Sequence, residues 1–259
     1  MGTALITGAS AGLGTELTRL FAADKHDVIL VARRKDRLEA LGAELARQHG
    51  IQAHAIAADL MDPAAPAAVV AEVARLGLEV DFLVNNAGFG NNGKFHELDA
   101  AKEVGSIECN VTALVALTRA FLPAMIARRK GRVLNIGSTA GFQPGPYMAT
   151  YYATKAFVSS FTEALAYELK GTGVTATVSC PGATATEFFA VSGMENSRLL
   201  KAGTMTGADV ARQAYHAMLA GRPMVVHGFK NRFGAWMAPF SPRPMILALT
   251  AALNRSPSA

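Results

Sequence analysis

The sequence predicts one α/β domain, a doubly wound parallel sheet with helices on both faces. Short apolar runs alternate with longer segments of helical periodicity, and most connections between them are short. A glycine-rich turn follows the first apolar run and opens the first helical pattern. Right-handed crossovers would wind such an alternation into a Rossmann-type fold.

In order, strands are expected at Ala4–Thr7, Asp27–Ala32, Gln52–Ala57, Phe82–Val84, Arg132–Ile136, Thr175–Ser179 and Met224–His227. Helices are expected at Gly12–Ala23, Lys35–Gln48, Ala64–Leu76, Val111–Arg129, Tyr151–Leu169 and Gly207–Ala220. Two segments break the rhythm: residues 183–204, a long connection read as a substrate lid, and the proline-bearing tail 228–259. No repeat or low-complexity linker divides the 259 residues, enough for one core.

With 51% hydrophobic and 17% charged residues, the chain is not expected to be disordered. No uninterrupted apolar run reaches the ~18 residues of a membrane span; Met245–Leu253 is short and contains Thr250. The first residues lack a signal-peptide pattern, and Ile6 stands where a myristoylation motif needs Ser or Thr, so the cytoplasm is the expected location. Cys109 and Cys180 lie far apart in segments that read as buried, and the six histidines lack ligand spacing, so no metal is expected. The net charge of +5 rests on small clusters. Arg128-Arg129-Lys130 falls at a helix end, where cations suit the dipole, so nucleic acid is not an expected partner.

The turn Thr7-Gly8-Ala9-Ser10-Ala11-Gly12-Leu13-Gly14 links strand to helix. Its glycines allow a close approach to backbone amides at the helix N-terminus, which suits a pyrophosphate. Tyr151 and Lys155 lie one helical turn apart on one face. An ammonium near a phenol favours phenolate and lowers its pKa toward a useful range for proton transfer. Tyr152 and Tyr147 are rivals, but only Tyr151 precedes the lysine by one turn. Ser138, just past a strand end, is placed to hydrogen-bond a substrate oxygen; a turn or cap role, and competition from Thr139, are the alternatives.

These motifs, in this order, resemble the short-chain dehydrogenase/reductase family from Thr3 to about Gly228. They are Thr7–Gly14, Asp59-Leu60, Asn85-Asn86-Ala87-Gly88, Asn110, Ser138, Tyr151-x-x-x-Lys155 and Pro181-Gly182. The resemblance implies a seven-stranded Rossmann sheet, a nicotinamide cofactor, and Asn110, Ser138, Tyr151 and Lys155 as the catalytic set. It implies that Lys155 also holds the nicotinamide ribose and that Asn110 positions a water linking Lys155 to solvent. Asn86 would support the central strands, Asp59 would contact adenine, and Thr186 would bond the carboxamide. Leu13, Gly14, Leu60, Ala87, Gly88, Pro181, Gly182 and Thr184 complete the implied cofactor site; Thr184 replaces a common branched aliphatic at a position that acts through its backbone.

Ala32 stands where the family often has an acid that meets free ribose hydroxyls, and Arg33-Arg34 follow it. Guanidinium groups suit a 2′-phosphate, and Ser10 adds a hydroxyl, so NADP(H) is expected over NAD(H). The basic helix start could instead be structural, with Asp36 as partner. The expected function is reversible hydride transfer to a carbonyl or alcohol substrate, hydrophobic in view of Phe188 and Phe189, by a homodimer or homotetramer. A catalytically idle NADP(H) sensor or scaffold is the alternative. A third reading places the tail aromatics Phe229, Phe233, Trp236, Met237 and Phe240, with their neighbouring cations, on a membrane surface or, preferably, over the substrate cleft.

Overall fold

A computed structural model describes residues 1–194 and 203–255. Its main sheet contains β1 (Thr3–Thr7), β2 (Asp27–Ala32), β3 (Ala53–Ala57), β4 (Phe82–Asn85), β5 (Gly131–Ile136), β6 (Val174–Cys180) and β9 (Met224–Val226). They are ordered β3-β2-β1-β4-β5-β6-β9, and every pairing is parallel. β7 (Thr184–Ala185) and β8 (Met205–Thr206) form a separate two-stranded pair.

Successive strand residues point to opposite faces, and each face has its own core. Ala4, Ile6, Val28 and Leu30 join Leu17, Phe21, Leu38, Leu45 and Met218 on one side. Leu5, Ile29 and Val31 join Val69, Val73, Leu117, Met125 and Leu165 on the other. This two-sided burial explains why the strands read as continuous apolar runs.

The largest departure from the expected elements lies before β5. The helix anticipated at Val111–Arg129 starts earlier, as Ala100–Ile107, with Asp99 capping the amides of Ala101 and Lys102. It passes through a π-turn at Glu108–Thr112 and continues as Ala113–Ala127. Asn110 therefore sits inside a helix rather than before one. The rod Ala100–Ala127 is apolar and long enough to cross a membrane, but Leu114, Leu117, Thr118 and Met125 are buried, as in a core helix. The anticipated cationic helix end is present after Ala127, where Arg128 and Lys130 face Asp81 at 3.9 and 3.2 Å.

The described part of the proline-bearing tail is largely helical, as Phe229–Met237 and Arg243–Asn254. Pro242 caps the second helix and Pro244 lies in its first turn, where a missing N–H costs little. Cys180 is buried as expected, whereas Cys109 is only partly so and faces the cleft described next.

Candidate active site

The C-terminal ends of the parallel strands open into a cleft of about 370 Å³. This is where open α/β sheets place their ligands, because the strand order reverses there. Of the catalytic and cofactor residues expected from the sequence, all but Asn110 and Gly14 line it.

At the β1 turn, Gly8 and Gly12 have φ of 67° and 55°, conformations that side chains disfavour. A Cβ on Gly14 would collide with the Gly8 carbonyl, so this glycine is needed for packing behind the turn. Ala11 caps helix Gly12–Ala23 without a side-chain hydrogen bond, so no side chain of the cap claims the first-turn amides that border the cleft. Thr7 Oγ1 accepts from the amides of Asn86 and Ala87 at 3.0 Å, and Asn86 Nδ2 donates to Thr7 O at 2.9 Å. Asn86 thus ties β1 to the segment after β4.

At the β2–β3 side stand Arg33, Arg34 and Asp59. The Arg33 guanidinium is 4.0 Å from Asp59, not paired with Asp36, and two-thirds exposed. Arg34 donates to Ser10 Oγ at 3.3 Å and to Glu187 at 3.0 Å; Arg37 reaches Glu187 at 3.0 Å. Both arginines hold the Glu187 carboxyl below its ordinary pKa through these hydrogen bonds. Leu60 is buried against this side of the cleft.

At the β5–β6 side, Ser138, Tyr151 and Lys155 converge. Ser138 caps the 3-10 turn Thr139–Phe142 by accepting from Ala140 N at 3.1 Å, so the cap role and access to the cleft coexist. Lys155 is buried and donates to Ile136 O at 2.7 Å, with Nζ 5.7 Å from the Tyr151 ring centre. Burial draws its pKa down to about 8. Burial pushes the Tyr151 phenol up, against a downward pull from the Ser138 hydroxyl. The lowering expected from Lys155 is not among the causes of this shift: in a dry pocket the phenolate's lost solvation decides its direction.

Asn110 lies behind this group. Its Oδ1 accepts from Phe89 N at 3.0 Å, while Nδ2 donates to Phe89 O and Thr154 Oγ1 at 2.9 and 3.0 Å. Gly88 lies between it and Lys155; a Cβ there would come 3.0 Å from Asn110 Oδ1 and 3.4 Å from Lys155 Nζ.

Pro181, Gly182, Thr184 and Thr186 line the β6 exit. Beyond them Phe188–Val191 forms a short helix, and Phe188 packs on Tyr151 with ring centres 5.1 Å apart. Phe189 and Met194 are buried with Met148 and Tyr152. The remainder of the anticipated lid, residues 195–202, lies outside the described residues.

Sequence reasoning missed Glu187, Thr250, Leu253 and Asn254. Thr250 and Leu253 line the cleft from the C-terminal helix, and Asn254 accepts from the Tyr152 hydroxyl at 3.1 Å. Only Glu187 left a signal, an acid directly after Thr186; the other three approach from about a hundred residues away in sequence. No group of acids, cysteines and histidines suited to a metal occurs among the described residues.

Known proteins resemble this chain in sequence and in fold. The ketoacyl reductase HetN of Nostoc sp. is 32% identical over 89% of this chain and 76% of its own length. The NADP-dependent 3-hydroxy acid dehydrogenase YdfG of Escherichia coli is 39% identical over 69% of this chain and 71% of its own. Some longer relatives are matched over only 60%, 56% and 51% of their length. A short-chain dehydrogenase from Sphingobium yanoikuyae, solved in complex with NADPH, superposes with a TM-score of 0.82 at 33% identity, covering 93% of this chain and 94% of that one. The short chain dehydrogenase model matches residues 2–196, which include the glycine turn, Ser138, Tyr151 and Lys155, and this chain belongs to that family of oxidoreductases.

Proposed function

We propose that this chain is an NADP(H)-dependent enzyme that interconverts a hydrophobic carbonyl compound and its alcohol. The observation that carries the reading is the convergence of Ser138, Tyr151 and buried Lys155 in one cleft with the glycine turn and the Arg33–Arg34 pair.

The cleft fits a dinucleotide on its own chemistry. Gly12 leaves room that a Cβ would take, 3.2 Å from Thr186, beside the amides of a helix N-terminus. Gly8, Leu13, Ala87, Gly88, Pro181, Gly182 and Thr184 would border the cofactor, with Asn86 and Gly14 supporting the turn. Asp59 and Leu60 would face adenine, and Thr186 the carboxamide. Ser10, Arg33 and Arg34 suit a 2′-phosphate, a dianion that guanidinium forks bind in a bidentate manner. Lys155 carries three donor hydrogens and spends one on Ile136, which suits ribose hydroxyls. Such a cofactor supplies or accepts the hydride.

The chain's residues manage the proton. Tyr151 keeps its phenolic proton at neutral pH and delivers it to the substrate oxygen as negative charge develops there. The Ser138 hydroxyl hydrogen-bonds the same oxygen, and the Lys155 ammonium stabilises the resulting phenolate. Asn110 is a positioning residue: both Nδ2 hydrogens are engaged, so its service to a water beside Lys155 falls to other atoms. Phe188, Phe189, Met148 and Met194 give the substrate side an apolar wall. Of the segment read as a lid, the described part up to Met194 would cover the apolar wall, so amides of Phe188–Val191 should gain hydrogen-exchange protection when NADPH and an inhibitor bind; unchanged protection would remove the lid. Nothing in the site favours an idle sensor, since the catalytic set is intact.

Assembly as a homodimer or homotetramer through helices Ala113–Ala127 and Ala149–Glu168 is consistent with exposed Ile126, Phe157 and Tyr167, and light scattering tests it. The functional reading is tested by following NADPH and NADH oxidation with aliphatic and aromatic ketones, aldehydes, 3-oxoacyl thioesters and sugars. Turnover confined to sugars, or a preference for NADH, would overturn the substrate or cofactor assignment.

A further inference from the structure

After Asp209 the sequence holds no acidic residue, while Arg212, Arg222, Lys230, Arg232, Arg243 and Arg255 all follow it. Within this basic tail, helix Phe229–Met237 buries none of its residues. It docks on the body through its back, where Asn231 Nδ2 donates to His227 O at 2.7 Å and sits so close to Gly182 that a Cβ there would collide with it.

At ~100° per residue, Phe229, Phe233 and Trp236 fall in one stripe opposite Asn231, with Lys230 and Arg232 on either side. Phe240 extends the stripe; its ring lies 5.7 Å from Trp236, which lies 6.2 Å from Phe233. These four aromatic residues are 76%, 56%, 64% and 71% exposed in the order Phe229, Phe233, Trp236, Phe240. None of them lines the cleft, which the tail reaches instead through Thr250 and Leu253. No salt bridge among the described residues engages Lys230, Arg232 or Arg243.

An aromatic ridge between unpaired cations matches the boundary between acyl chains and anionic headgroups. A two-fold contact with a second copy would set these like charges against each other. We propose that the ridge Phe229–Phe240 is a peripheral docking surface for a bilayer containing anionic phospholipid. Hydrophobic substrates partition into the same bilayer, so this docking would bring the cleft to them.

Trp236 is the only tryptophan of the chain, so its fluorescence reports on the ridge alone. The full-length protein is mixed with phosphatidylcholine vesicles with and without phosphatidylglycerol. The expected result is co-sedimentation and a blue-shifted emission only with phosphatidylglycerol, lost at high salt. Phe233→Ser should abolish the shift, and Lys230→Glu with Arg232→Glu should weaken partitioning by roughly tenfold or more. Both variants should keep their NADPH oxidation in solution, which shows that they fold. Three results would overturn the proposal: no binding to either vesicle, equal binding to both, or a blue shift without vesicles that grows with protein concentration together with particle mass. The last would assign the ridge to a second copy.

Discussion

The Tyr152 hydroxyl donates a hydrogen bond to Asn254 Oδ1 at 3.1 Å, joining the neighbour of Tyr151 to the C-terminal helix. Asn254 Nδ2 donates to Pro146 O at 3.0 Å, and its carbonyl accepts from Asn92 at 2.9 Å. One fully buried residue therefore clamps the last helix over the cleft. Asn254→Ala leaves the Tyr152 hydroxyl and Pro146 carbonyl unpaired, at a cost of about 1–3 kcal/mol. A lower urea midpoint and a raised KM, with a smaller change in kcat, are expected; an unchanged KM would make the clamp purely structural.

The two adjacent tyrosines should respond differently to loss of their hydroxyls. Tyr151→Phe should reduce kcat by roughly a hundred- to ten-thousandfold while NADPH still binds. Tyr152→Phe breaks only the tie to Asn254 and should be far milder. Equal kcat values for the two variants would refute the assignment of Tyr151 as proton donor.

Glu187 holds Arg34 and Arg37 at 3.0 Å each, and so would compete for Arg34 with a 2′-phosphate bound as proposed. Arg34→Ala and Arg33→Ala should each weaken NADPH by roughly ten- to a hundredfold and NADH much less. Glu187→Gln should tighten NADPH by about threefold or more and leave NADH unchanged. Fluorescence titration with both cofactors measures this, and parallel changes for the two would place these residues in a structural network only.

His227 is buried with Nε2 2.8 Å from Ser179 Oγ and Nδ1 3.2 Å from Gln213 Oε1. The neutral ring donates from Nδ1 and accepts at Nε2, and burial pulls its pKa from 6.5 to about 4. The unfolded chain then binds the proton more readily than the folded one between these values. Stability is full above about pH 6.5 and falls as pH drops toward 4, by on the order of 3 kcal/mol. His26, lowered mainly by burial, acts in the same direction. Urea midpoints at pH 7.5 and 5 should differ less in His227→Asn than in the native chain; an equal difference would exclude His227 as the source.

Local sequence determined the layered fold, because each strand's burial on both faces and each helix's one-sided burial are written in its own periodicity. It also placed Gly8, Gly12, Ser138, Tyr151 and Lys155, whose spacing and position at strand ends restrict what they can face. The helix start at Ala100 escaped that reading, since a π-turn around Asn110 replaces the break the pattern suggested. Tertiary structure alone decided which charges and hydroxyls meet. Arg34 faces Glu187 across 153 positions, and Tyr152 meets Asn254 across 102. It also set the sign of the Tyr151 shift, because desolvation depends on everything packed around the phenol, whereas spacing shows only the lysine one turn away.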